Sequence, residues 1–411
     1  MVSVRKVVVA VVSSAVVLAG ALVAAPAARA AEGITVWADA AHAPVIEELL
    51  PKGYKGLPVT VVVKDPATWA AELAAVSGAE APDVVWGDLA QTGGLADEGT
   101  LVPVTLTKKR TAQFRSNVLR GSQFGAERYG LPVQISNLAL ITNTKLVPRQ
   151  PATFAELSRI ALDLVETKKK VTVPLALPQG EGSNPWTTYP LFSGLGGYLF
   201  GRDANGALDP KDVGLASRKL IRKSGQIDTW NSSGLLSSTL TKAAARRAFV
   251  KGKSPFWLAG PEDLNTLLKL DFVYRIGTLP PMLKARKPVP LLTVHGFMVT
   301  KYAKRHDVAD EASLLVSRFM SKAAPQLALA SASGWLPANL EAATQMNVGG
   351  GRIRAIGGAG ADGVPMPNIP QAAALWAPYG AAWTATTSGA SATPAGDAFR
   401  IAQDAVEAAI G

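Results

Sequence analysis

Along this chain, apolar residues gather in short β-branched runs, separated by stretches in which they recur every three to four positions. Residues 34–37 (Ile-Thr-Val-Trp) and 58–63 (Pro-Val-Thr-Val-Val-Val) read as buried strands flanking a helix at 44–50. A helix at 69–77 and a strand at 83–86 continue the alternation, the pattern of a parallel sheet covered by helices. A second set opens with a strand at 171–176, passes through a helix at 212–225 and reaches strands at 254–258 and 274–279. A proline-rich hairpin or loop at 284–290 leads to another strand at 291–301. A Ser/Thr/Gly/Ala-rich surface loop at 384–394 precedes a last helix at 395–410.

The stretch 364–376, Val-Pro-Met-Pro-Asn-Ile-Pro-Gln-Ala-Ala-Ala-Leu-Trp, combines a stiff entry with an aromatic at a fixed offset. Three prolines fix φ and push the residues before them into extended geometry. Pro370 suits the first turn of a helix, where its missing N–H has no intrahelical partner to lose. Trp376 then falls less than two turns into that helix. Its flat side chain is either a ligand platform or part of a core, and the residues alone leave both open.

At 411 residues the chain exceeds what one core usually supports, so two lobes are expected. Arg5 and Lys6 precede an apolar run at 7–25, and Ala28-Arg-Ala30 places small residues where a signal peptidase reads them. Residues 1–30 are therefore read as a secretory signal cleaved after Ala30; the competing reading is a transmembrane anchor. With no cysteine, the chain can form neither a disulfide nor a lipid-modified cysteine. Export to the periplasm or the extracellular face of the membrane is expected, with retention by another contact.

A net charge of +11 is basic, but its clusters at 108–110, 168–170 and 246–247 are short and separated. They lack the interleaved aromatics of a nucleic-acid surface and read as solvated helix ends and loops. Three scattered histidines, His42, His295 and His306, give no metal-ligand spacing. No nucleophile elbow or phosphate-cradling glycine loop stands in a strand-turn-helix context. Carboxylates such as Asp88, Glu181 and Glu262 single out no hydrolytic pair. The expectation is a binding protein without cofactor or metal. Nine tryptophans favour sugars, whose C–H faces suit flat rings.

The 364–376 stretch resembles the C-terminal region of the maltose/maltodextrin-binding proteins of ABC importers. Residues 34–37, Ala-Pro-Asp-Val-Val-Trp at 81–86, Gly-Leu-Pro-Val-Gln-Ile-Ser-Asn at 130–137, Pro-Trp-Thr-Thr-Tyr-Pro-Leu at 185–191, Asp-Pro-Lys-Asp-Val-Gly at 209–214 and Ala-Phe-Val-Lys-Gly at 248–252 follow in that family's order. The resemblance implies a two-lobed α/β periplasmic-binding-protein-like fold, each lobe a mostly parallel sheet covered by helices, with the ligand between the lobes. It implies an N-lobe of 31–134 with 297–345, a C-lobe of 139–291 with 352–411, and hinge segments at 135–138, 292–296 and 346–351. The glycines at 349–351, 357–358 and 360 read as a flexible loop or as part of that hinge. The implied partners are an oligosaccharide and membrane permease subunits, for a monomer that makes and breaks no bond and contacts no nucleic acid; the alternatives are a non-sugar solute on the same fold and a secreted glycan hydrolase.

Site residues carry over unevenly in this resemblance. Trp376 falls at the family's stacking tryptophan, and Trp186 at a stacking tyrosine. His42 stands where the family has a lysine, with Ala41 at its aspartate and Asp39 at an asparagine. The family's Trp-x-x-Asp-Arg cluster is replaced by Gly-Asp-Leu-Ala-Gln at 87–91, leaving Asp88 and Gln91 as substitutes. Family glutamates become Ser136, beside Gln134 and Asn137, and Asn184. A tryptophan becomes Glu262. The resemblance thus implies a retained stacking platform with a rewritten polar rim, and altered specificity.

Overall fold

The computed structural model describes residues 33–180, 185–282 and 287–411; the expected signal at 1–30, Asn184 and part of the 284–290 loop lie outside the described residues. The first β-branched runs form β1 (Ile34–Ala38), β2 (Val59–Val63) and β3 (Val84–Asp88). These three are parallel with β1 in the middle, Val36 lying opposite Val61 on one side and Val84 on the other. The crossovers carry α1 (Ala43–Leu49), with Pro44 in its first turn, and α2 (Trp69–Ala75). After β3 come α3 (Thr92–Asp97), α4 (Ser116–Arg120), β4 (Leu131–Ser136) and β5 (Ala139–Asn143).

The middle of the chain supplies α5 (Phe154–Thr167), α6 (Pro185–Leu195), the hairpin β6 (Phe200–Arg202) and β7 (Leu208–Val213), then β8 (Phe256–Ala259) and β9 (Tyr274–Gly277). The long β10 (Leu291–Thr300), β11 (Leu336–Pro337), α7 (Arg352–Ala359), β12 (Val364–Pro365), α8 (Trp376–Thr386) and α9 (Ala395–Ile410) complete the elements used below. The principal sheet runs β11–β4–β10–β3–β1–β2, and a second sheet runs β8–β5–β9.

Side chains sort into separate cores. One joins Ile34, Val85, Val133, Leu292, Phe297 and Val316; another joins Leu140, Phe192, Leu291, Tyr379, Trp383 and Phe399. A smaller cluster around Ile141, Phe249 and Trp257 adjoins the second sheet. Leu291 and Leu292 are chain neighbours, yet their side chains enter different cores, as expected where successive strand residues point to opposite faces. In α9, Ala398, Phe399, Ala402 and Val406 make one buried stripe at helical spacing.

The α/β architecture stands, but several local expectations do not. In the second sheet β5 pairs antiparallel with both β8 and β9, where parallel pairing was expected. Residues 171–176 form no strand: the amides of Thr172 and Val173 both donate to the Lys253 carbonyl, Pro174 has no amide to give, and only Ala176 bridges Trp257. The expected helix at 212–225 is split. Its start is β7, Tyr198 packs directly against Gly214, and Ser217 caps a new helix by accepting from the Leu220 amide over 3.2 Å. The expected loop at 384–394 begins later, because fully buried Trp383 carries α8 on to Thr386.

The glycines of the last crossing divide by role. Gly349, Gly350 and Gly351 all adopt positive φ, a run that other residues would resist. Gly357 and Gly360 instead permit close packing, since a Cβ would overlap Leu336 and Asn137 respectively.

Candidate ligand site

Strands β1, β2 and β3 run the same way, so their carboxyl ends place Asp39, Lys64 and Asp88 along one edge, the usual position for a ligand crevice in an α/β sheet. The register of β10 adds to this edge: His295 lies opposite Asp88 on one side and Gln134 on the other. Because side chains alternate, Trp86 shares a face with Asp88, and Phe297 with His295. A cavity of about 190 Å³ results, lined by Trp37, Trp69, Trp86 and His295 with Asp39, Lys64, Asp88 and Gln91.

Asp39 organises one wall. Its Oδ1 accepts from the Ala41 and His42 amides over 2.9 and 3.0 Å, and its Oδ2 accepts from the Trp86 indole over 2.9 Å. His42 Nδ1 lies 2.8 Å from the same carboxylate. Burial works to raise the Asp39 pKa, but hydrogen bonds and charge from His42, with help from Trp86, outweigh it and hold the carboxyl at about 2. The His42 ring is only 3% exposed, lies tilted by 36° with its centroid 4.4 Å from that of Trp86, and its Nε2 is buried without a partner among the described residues.

Asp88 has a different environment. Its Oδ1 accepts from the Ala90 amide over 3.0 Å, capping the short turn Leu89–Gln91. Burial pushes this carboxyl up, against the opposing pull of His295 and the Ala90 amide. Burial likewise pushes His295 down, against the pull of Asp88. The His295 ring sits 4.6 Å from Trp335 and 6.4 Å from Trp86. Gly87 lets Trp69 close over the strand, since a Cβ there would lie 2.6 Å from Trp69 Cζ2. Lys64 Nζ stands 4.1 Å above the Trp37 ring and pairs with Glu72 at 2.6 Å.

The second core carries the two stacking candidates. Trp186 lies in the first turn of α6 and Trp376 is the first residue of α8, both partly buried. The two helices pack together: Thr188 Oγ donates to the Tyr379 hydroxyl over 3.3 Å, and Phe192 meets Tyr379 edge-on at 5.1 Å. Pro370 does not open one continuous helix as expected. It begins a 3-10 turn, Pro370–Leu375, and the α-helix starts only at Trp376. The connector before it is extended and sheet-bound: β12 pairs in parallel with Leu291 and Leu292, and the Met366 amide donates to the Leu292 carbonyl over 2.9 Å.

The other predicted positions scatter. Gln91 is exposed at the rim of the 190 Å³ cavity. Ser136 is buried at the end of β4, opposite Thr293. Glu262 is exposed on the turn Pro261–Asp263 and pairs with Lys242 at 3.2 Å. Asn184 lies outside the described residues. Trp37, Lys64, Trp69, Trp86 and His295 also line the crevice, though the sequence did not mark them as site residues. Trp86 and His295 lie on strands whose register sets them beside Asp88, whereas Trp69 arrives from a helix.

An α/β fold with a polar and aromatic crevice at strand ends suits the binding of a small solute. Residues 51–348 match the family described as bacterial extracellular solute-binding protein, and the chain belongs to that family. It is 23% identical over 305 residues to the maltodextrin-binding protein MdxE of Bacillus subtilis (strain 168), covering 72% of this chain and 70% of that one. It is 26% identical over 357 residues to a maltooligosaccharide ABC transporter solute-binding lipoprotein of Streptococcus pneumoniae (strain ATCC BAA-255 / R6), covering 84% and 81%. Its fold matches a cyclo/maltodextrin-binding protein crystallised with maltotetraose, with a TM-score of 0.80, 22% identity and coverage of 92% and 97%. This is a family of binding proteins, not of enzymes.

Proposed function

We propose that this protein captures a maltooligosaccharide-like saccharide in a cleft between its two lobes and presents it, as a monomer outside the cell membrane, to the permease subunits of an ABC importer. The observation that carries this reading is a pair of complementary half-sites, one on each core. Trp376 and Trp186 occupy the starts of two packed helices on the second core. The cavity of indoles, carboxylates and His295 lies on the first. Flat rings suit sugar C–H faces, and converging polar groups suit hydroxyl edges. The names of the relatives point to the same ligand class.

In this proposal Asp88 and Gln91 supply hydrogen-bonding edges, while Asp39, with its oxygens engaged, holds His42 and Trp86 in position. Ser136 and Glu262 reach the ligand only on closure, about hinge segments at 135–138, 292–296 and 346–351. A ligand touching both lobes favours closure by its differential affinity for the closed state. Calorimetric titration with maltose through maltoheptaose, alongside galactooligosaccharides of equal length, tests the assignment. Binding is expected for the α-glucans, tightening over the first few rings. Heat from the galactosides alone, or from neither series, rules the assignment out.

A further inference from the structure

A groove of about 590 Å³ is lined by β12 and by three arginines. Arg115 and Arg120 come from the α4 region of the first core, and Arg202 from β6 of the second. No ion pair engages any of the three among the described residues. The one carboxylate on the groove wall, Asp362, is occupied by Lys287 at 3.1 Å. Asn117 holds the wall in place, donating to the Ala361 and Gly363 carbonyls over 3.2 and 2.8 Å, and Arg202 Nη1 donates to the Gly206 carbonyl within its own hairpin over 2.6 Å. Burial, and after it the nearby Arg120 charge, depress the Arg202 guanidinium, while Tyr189 acts in the opposite direction.

The groove does not end at Arg202. A neighbouring cavity of about 330 Å³ shares Arg202, Val364 and Pro365 with it, and is lined by Tyr189, Tyr198 and Phe200. Its one carboxylate, Asp212, accepts from the Tyr198 hydroxyl over 2.6 Å. Guanidinium forks match the planes of a phosphate's oxygens, and adjoining aromatic walls match an apolar body.

We propose that this continuous groove is a second ligand site, taking a small molecule that joins a phosphate group, held by Arg120 and Arg202, to a flat apolar body seated against Tyr198 and Phe200. Two arginines drawn from different cores onto one anion convert their mutual repulsion into attraction through the ligand. The groove shares no residue with the crevice.

Titrating phenyl phosphate and inorganic phosphate into the full-length protein, followed by calorimetry at low ionic strength, tests it. Phenyl phosphate is expected to bind roughly tenfold more tightly than inorganic phosphate. The Arg120→Gln/Arg202→Gln double variant is expected to lose both ligands. Both arginines are at least partly exposed, so the double variant should keep its thermal midpoint. Equal affinity for the two ligands overturns the aromatic half of the proposal. Binding that survives the double substitution, or no binding by wild type, overturns the whole.

Discussion

The side-chain amide of Asn368 donates to the hydroxyl of Thr92 over 3.1 Å and to the Gln123 carbonyl over 2.8 Å, so the connector leading to Trp376 is fastened to the first core. Asn368 is 2% exposed, and a third contact runs to the Gly121 carbonyl at 3.3 Å. Trp376 is therefore anchored from two directions: its helix packs in the second core, while its approach is bolted to the first. The first prediction concerns this bolt. Asn368→Ala leaves buried acceptors without a donor and should cost about 2–3 kcal/mol. Chemical denaturation measures it, and a loss below about 0.5 kcal/mol would show that the fastening is incidental.

Gly93 lies against the same segment, where a Cβ would overlap the Asn368 carbonyl oxygen. Backbone cannot step aside as a flexible side chain can. Gly93→Ala should therefore destabilise by about 3 kcal/mol or more, whereas Gly94→Ala, which faces open space one residue on, should be near neutral. Equal melting temperatures for the two variants would contradict this packing.

Asp39 makes a prediction in acid. Its folded-state pKa of about 2 lies below the ordinary carboxylate value, so it stabilises the fold above about pH 4. That contribution, about 2 kcal/mol, is lost as pH falls from about 4 through 2. Asp39→Asn removes it at every pH, so the stability gap between wild type and variant should be widest near neutrality and shrink below pH 4. A gap that stays constant from pH 7 to pH 3 would argue against the carboxylate's pairing with His42.

Asp88 makes the opposite prediction. Burial raises its pKa, so ionisation costs the folded state stability as pH rises above the ordinary carboxylate value. Asparagine keeps the cap on Ala90 and carries no charge. Asp88→Asn should gain thermal stability relative to wild type between pH 4 and pH 7, while weakening saccharide binding several-fold. Melting curves at the two pH values decide it; a variant that loses ground as pH rises would show that His295 outweighs burial.

Much of this layout is legible in the sequence. Short β-branched runs located β1, β2 and β3, and the prolines of 364–370 announced an extended connector, because those signals are local. What stayed hidden depends on contacts distant in sequence. Nothing near Asp88 says that β10 will set His295 across from it, and nothing near Gly87 says that Trp69 will cover it. The misjudged helix at 212–225 failed for a related reason: its apolar spacing fitted a helix, but Tyr198 claims the space above Gly214 and Ser217 restarts the chain. Asp39 and His42 were legible as polar residues after a strand, but not as a mutually satisfied pair.

The central claim is that a saccharide rests on Trp376 while its hydroxyls meet the crevice on the first core. Intrinsic tryptophan fluorescence during maltotetraose titration, in wild type and in Trp376→Ala, tests it most directly. Trp376 is only partly buried, so the variant should fold, as its circular dichroism and melting curve can establish. The account predicts a saturable fluorescence change in wild type and at least a tenfold weaker midpoint in the variant, about 1.4 kcal/mol of lost stacking and contact. An unchanged midpoint and amplitude in Trp376→Ala would contradict it.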